Sequence, residues 1–176
     1  VFVLMYLQAN SILYFSLLVS LGVFSIYNIF SGRIFLGDFG SYTLSALMAF
    51  CCLDLYVSAQ ASVWFFASLL SYPCTEIVRV MINRALKHKS PFSADNSHVH
   101  NKLYEAINRK GLNTLAANSL TGILLGVGFS AVPVTLAVTG LLSWEEEIWG
   151  IYFLFSVLVH LLLSRIKVSV TDPQTI

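Results

Sequence analysis

The heptapeptide Phe35-Leu36-Gly37-Asp38-Phe39-Gly40-Ser41 puts a carboxylate between two apolar runs. Such an acid is costly unless it faces water, a metal ion or a substrate. Glycines on both sides let the backbone approach a ligand closely. A carboxylate at a water-accessible membrane mouth suits Mg2+, which takes hard oxygen ligands and keeps several waters. The competing structural reading is a favourable charge at the start of a helix. That reading accounts for Asp38 but leaves Gly37, Gly40 and Ser41 without a purpose.

His98-Val99-His100 is the second constellation. Residues two apart diverge on a helix and share a side on an extended chain. For both imidazoles to meet one ligand, His98 must stand at or before the first helical turn. No cysteine or acid at zinc-like spacing accompanies them. Hydrogen bonding to phosphate oxygens, among neighbouring basic residues, fits better. Two solvated loop histidines are the bland alternative. Glu76, Arg79 and Arg84 form a third group; Glu76 and Arg79 are i, i+3 neighbours that can simply pair. Arg79 and Arg84 serve equally well to hold a diphosphate, because the guanidinium fork matches phosphate oxygens. Asn28 either presents an amide near Asp38 or marks the wet end of its helix.

These residues need a scaffold, and composition assigns it to a membrane. Hydrophobic residues make up 57% of the 176 and charged ones 11%, against about 25% charged in soluble domains. Spanning helices of about 20 apolar residues are expected at 11–30, 41–56, 61–82, 115–142 and 148–164, after a partial one at 1–7. Ser41 is a candidate N-cap, and Pro73 and Pro133 should interrupt or kink their helices. Cys51, Cys52 and Cys74 lie in apolar runs and read as packing residues. Tyr56, Trp64, Trp144, Trp149 and Tyr152 fit an interfacial aromatic belt. His160, alone in a span, reads as a packing histidine rather than a ligand.

Alternating through these spans places all ten basic residues on one face, from Arg33 to Lys167. The other face holds Asp54 and Glu145-Glu146-Glu147. Lysine and arginine accumulate on the cytoplasmic side, so the chemistry-bearing segments are expected there. The loop 87–113 contains one short helix, capped by Asp95, Asn96 or Ser97 and ended by Gly111. Val99, Leu103 and Ile107 give it an apolar stripe, expected to lie on the membrane surface. Glu105 and Arg109 form an i, i+4 pair.

Taken together, Asn28, the Phe35–Ser41 block, Pro73-x-x-Glu76, Ser90-Pro91-Phe92-Ser93-Ala94-Asp95 and His98-x-His100 resemble the polyprenyl-phosphate N-acetylhexosamine-1-phosphate transferases. The resemblance implies an all-α polytopic membrane bundle that moves a sugar 1-phosphate from a UDP-N-acetylhexosamine to undecaprenyl phosphate and releases UMP. It implies Mg2+ as cofactor, Asp38 as its ligand, and catalytic roles for Asp38, His98 and His100. Asn28, Arg79, Arg84, Ser90 and Asp95 become substrate-binding candidates. It further implies a multi-pass protein of the bacterial cytoplasmic membrane in contact with lipid, without nucleic acid, and compatible with a homodimer. The His-x-His form is closer to enzymes using UDP-GlcNAc or a related hexosamine than to the muramoyl-pentapeptide translocases. Three departures stand out. Asn101 occupies the place of a third histidine, Glu76 that of an aspartate, and the family's paired aspartates correspond to sequence before Val1, so the chain matches the C-terminal part of such an enzyme. A transporter or channel piece with Asp38 and Glu76 as pathway acids, and a non-catalytic membrane scaffold, are the competing classes.

Overall fold

The computed structural model describes residues 1–58, 61–88, 90 and 98–166. These residues are helical, with no strand among them. In chain order the helices are α1 (Phe2–Ala9), α2 (Ile12–Ser31), α3 (Gly37–Ser58), α4 (Val63–Leu69), α5 (Ser71–Leu86), α6 (Val99–Asn108), α7 (Thr114–Leu125), α8 (Val132–Val138) and α9 (Trp149–Ser164). Three of them are long and apolar enough to cross a membrane: α2, α3 and the continuous run Thr114–Val138. A fourth crossing exists if the bent pair α4–α5 is one span. Of the five full spans expected from sequence, three correspond to these helices and a fourth to the bent pair. The pair α4–α5 is broken, and α9 has only 16 residues, or about 24 Å.

Polar side chains inside the apolar helices bond to their own backbone. Ser16 Oγ donates to the Ile12 carbonyl at 2.8 Å, Ser20 Oγ to that of Ser16 at 2.8 Å, and Ser45 Oγ to that of Ser41 at 2.7 Å. Local bonding of this kind removes the cost of an unsatisfied hydroxyl in lipid. α3 begins four residues before its expected start, which places Ser41 inside the helix rather than at its cap. Ser41 Oγ instead donates to the Asp38 carbonyl at 3.0 Å. Gly37 has φ +67°, a left-handed angle that favours glycine.

The α4–α5 bend of 75° falls at Leu70, three residues before Pro73. Pro73 lacks the N–H that would reach the Leu69 carbonyl. Ser130 Oγ donates to that carbonyl instead, at 3.3 Å. Pro133 follows a π-helical turn at Gly126–Ala131, and the helix continues through it as one apolar run.

Two buried clusters hold the bundle. One joins Leu4, Met5, Cys51, Leu55, Ala61, Phe65 and Trp149. Trp149 is therefore core rather than belt: it is fully buried, packs edge-on against Phe65 at 5.1 Å, and its Nε1 donates to the Ser143 carbonyl at 2.8 Å. An indole whose N–H finds a backbone acceptor can be buried without penalty. The second cluster joins Val99, Leu125 and Phe129, with Tyr72, Leu103, Val159 and Leu163 packed around it. It ties α6 to α5, α7 and α9. The apolar stripe of α6 is thus used against protein, not against the membrane surface. The Glu105–Arg109 pair on its outer face is loose, at 3.9 Å.

Candidate functional site

The side-chain network around α6 begins at Glu76, in the middle of α5. Glu76 is buried, and one of its oxygens, Oε1, meets three donors. Arg79 Nη2 donates at 2.7 Å, His98 Nδ1 at 2.9 Å and the Val99 backbone N–H at 3.1 Å. The other oxygen accepts from Arg79 Nε at 3.2 Å and lies 2.7 Å from His160 Nε2. The i, i+3 pairing of Glu76 with Arg79 is present as a two-pronged contact, and the guanidinium is almost fully covered. His160 is fully buried, with its ring edge-on to Tyr72 at 5.6 Å. Its neighbour in space is a carboxylate, which no local pattern in the sequence announces, because the two residues lie 84 positions apart.

His98 is the N-cap of α6, with extended backbone angles (φ −60°, ψ 143°), and it makes no side-chain cap of its own. The geometric condition set by the sequence is met: His98 stands just before the helix, His100 in its first turn. Their rings stack with centroids 5.3 Å apart and planes 19° from parallel. Withdrawal of part of the His100 ring from water, followed by a charge on His98, lowers the His100 pKa from the ordinary histidine value; Glu76 acts in the opposite direction. The cap that Asp95, Asn96 or Ser97 was expected to supply falls outside the described residues, whereas the Val99 N–H is satisfied by Glu76 from another helix. A carboxylate there also meets the positive end of α6. Gly111, at φ +89°, follows the helix end as expected.

Beside the histidines lies a cavity of about 700 Å3 between α2, α6 and α7. Asn28 and His100 both line it, together with Asn101, Tyr104, Asn118 and Ser119. The last three carry no signal in the sequence that separates them from ordinary helix-surface residues. Ser119 Oγ also donates to the Ile29 carbonyl at 2.7 Å, pinning α7 to the end of α2. Asn101 gives this wall an amide.

The other candidates are spread more widely. Asp38 is exposed in the first turn of α3 and does not line that cavity. No basic side chain pairs with it among the described residues. Arg84 is half-buried near the end of α5, and Ser90 is exposed. Asp95 lies outside the described residues. Among these residues, no three His, Cys, Asp or Glu side chains are arranged to hold a metal ion. Asp38, exposed to water, could offer Mg2+ one carboxylate ligand. Mg2+ commonly binds proteins in that way.

No protein-family model matches the chain, and no solved structure matches it. A curated protein does: the undecaprenyl-phosphate alpha-N-acetylglucosaminyl 1-phosphate transferase of Thermotoga maritima is 34% identical over 119 residues, 64% of this chain. The match spans 38% of that relative's length. The chain is therefore similar to part of that transferase.

Proposed function

We propose that the protein transfers an N-acetylhexosamine 1-phosphate from a UDP-sugar to undecaprenyl phosphate, at the cytoplasmic face of a bacterial membrane. An oxygen of the lipid phosphate would form a bond to the sugar-bearing phosphorus. The bridging oxygen of the diphosphate would leave with UMP. Phosphoryl transfer of this kind depends mostly on positioning and on neutralising charge. The observation that carries the reading is the stacked His98–His100 pair at the edge of a cavity that Asn28 also lines. Similarity to the Thermotoga maritima transferase supports it independently.

In this reading His98 and His100 hold phosphate oxygens of the donor, and the amide-rich cavity beside them receives a neutral polar part of it. Arg84, on the helix leading to the loop, adds positive charge nearby. Asp38 would hold Mg2+, which when bound offsets the charge of the diphosphate. The Glu76 carboxylate is already engaged by Arg79, His98 and Val99, an arrangement suited to fixing a site and less to passing a cargo.

The test is UMP release by membranes containing the full-length protein. It should require a UDP-N-acetylhexosamine, undecaprenyl phosphate and Mg2+ together, and chelation should abolish it. Asp38→Asn should leave insertion intact and lower turnover by at least about a hundredfold, as loss of a transition-state electrostatic contact does. Absence of lipid-dependent UMP release with any UDP-hexosamine would reject the reading. Full turnover by Asp38→Asn at saturating Mg2+ would reject Asp38 as the ligand.

A further inference from the structure

We propose that Glu76 is a positioning residue for the histidine pair: its carboxylate, reaching from α5, serves as the N-terminal cap of α6 and fixes the orientation of His98. This rests on the transferase reading for its kinetic consequence, though not for its structural content.

The first turn of a helix leaves backbone N–H groups without partners. A residue just before the helix commonly answers one of them with its own side chain. Here His98 occupies that place and makes no such bond, and Glu76 Oε1 takes the Val99 N–H at 3.1 Å. The same oxygen lies 2.9 Å from His98 Nδ1. A carboxylate can only accept, so Nδ1 carries a proton, and Nε2 is the ring nitrogen left free to face a ligand. Arg79 holds both carboxylate oxygens, and His160 lies against Oε2. The carboxylate is therefore fixed before it reaches α6. One side chain thereby sets three things: where α6 begins, which nitrogen of His98 is free, and how His98 lies against His100. His160, on α9, extends the same constraint to a second helix.

Two variants remove different parts of this contact in the full-length protein. Glu76→Gln removes the charge and places an amide N–H2 where an acceptor was. Val99→Pro removes the N–H that Glu76 accepts, and with it changes one fully buried side chain of the second cluster. Proline suits the first position of a helix, and the extended angles of His98 are those a residue before proline prefers. Each variant should raise the KM for UDP-sugar about tenfold or more, the loss expected of a hydrogen bond to a charged group. The KM for undecaprenyl phosphate should stay unchanged. Combining the two should raise the donor KM by less than the product of the single effects, because both weaken one contact.

Amide hydrogen exchange supplies a readout that needs no turnover. In Glu76→Gln, the amides of 99–104 should exchange faster while those of α7 and α9 keep their protection. An unchanged donor KM would overturn the proposal, as would equal changes in both substrates' KM values. So would wild-type protection of α6, or a loss of protection spread over the whole bundle. If the wild-type protein transfers no sugar phosphate, the functional reading falls and the exchange experiment alone decides the role of Glu76.

Discussion

Protonating His100 works against the folded arrangement. Its ring is partly withdrawn from water and stacked on a second imidazole, so its folded pKa lies below the ordinary value. Between the folded and unfolded pKa values the unfolded form binds more protons, and stability there rises with pH. The contribution is complete above about 6.5, the ordinary histidine value, and is lost as pH falls through the lowered one. Exchange of the α6 amides, corrected for intrinsic rate, should therefore quicken on going from pH 8 to pH 5. His100→Asn should remove that dependence. An acid response of equal size in the His100→Asn protein would assign it to another group. At this scale the sequence pointed to the residues of the network and to few of their partners. The His-x-His spacing shows that His98 must precede the helix if the rings are to cooperate, and it does. That Glu76 joins His98 and His160 could not be read, since contacts across 22 and 84 positions leave no local pattern.

α6 is the element on which sequence and structure differ most usefully. Val99, Leu103 and Ile107 recur every four residues, which establishes an amphipathic helix but not what it faces. Lipid and the apolar side of α7 look alike to such a stripe. The structure buries Val99 completely and Ile107 nearly so, with Leu103 against the same cluster. The Lys102 ammonium also donates to the Ser164 carbonyl, at the end of α9. Leu103→Asp should thus free α6 from the bundle, at a cost of about 2 kcal/mol or more from lost packing and a charge forced against apolar neighbours. The loosening should be equal in detergent, in neutral vesicles and in anionic vesicles, read as proteolysis between Arg84 and Lys110. A defect seen only with vesicles would return the stripe to the membrane surface. The helix breaks follow the same logic. Proline marked both irregular stretches, yet the sharp bend came at Leu70 and the milder irregularity became a π turn. At the first of them the Ser130 hydroxyl meets the carbonyl that the proline frees.

Across the whole molecule, contacts along α9 order the two ends of the bundle. Near its start, the Trp149 carbonyl accepts from Ser68 Oγ at 2.8 Å, and Ser62 Oγ donates to Glu147 at 3.3 Å. Near its end, His160 meets Glu76 and Ser164 meets Lys102. The pair α4–α5 therefore advances along α9 from Trp149 to His160, about 16 Å of helix, and reads as a broken span rather than a loop that turns back. Arg33 follows α2, whose Ile29 carbonyl meets Ser119 near the start of α7, on the side of α6. The basic residues of α5, α6 and Arg165 gather at that end, and Asp54 with Glu145–Glu147 at the other. Charge alternation through the sequence anticipates this separation, although it rested on five full crossings. A re-entrant α4–α5 would move Arg79, Arg84 and Lys87 to the side opposite Arg33, against the tendency of basic residues to share the cytoplasmic face. Single cysteines at His88 and at Glu146, in a protein whose native cysteines are replaced by serine, separate the two arrangements. In intact cells an impermeant thiol reagent should label the Glu146→Cys protein and spare the His88→Cys protein until the membrane is opened. Labelling of both from outside would show that α4–α5 turns back, and would place the histidine pair on the face away from a cytoplasmic nucleotide sugar.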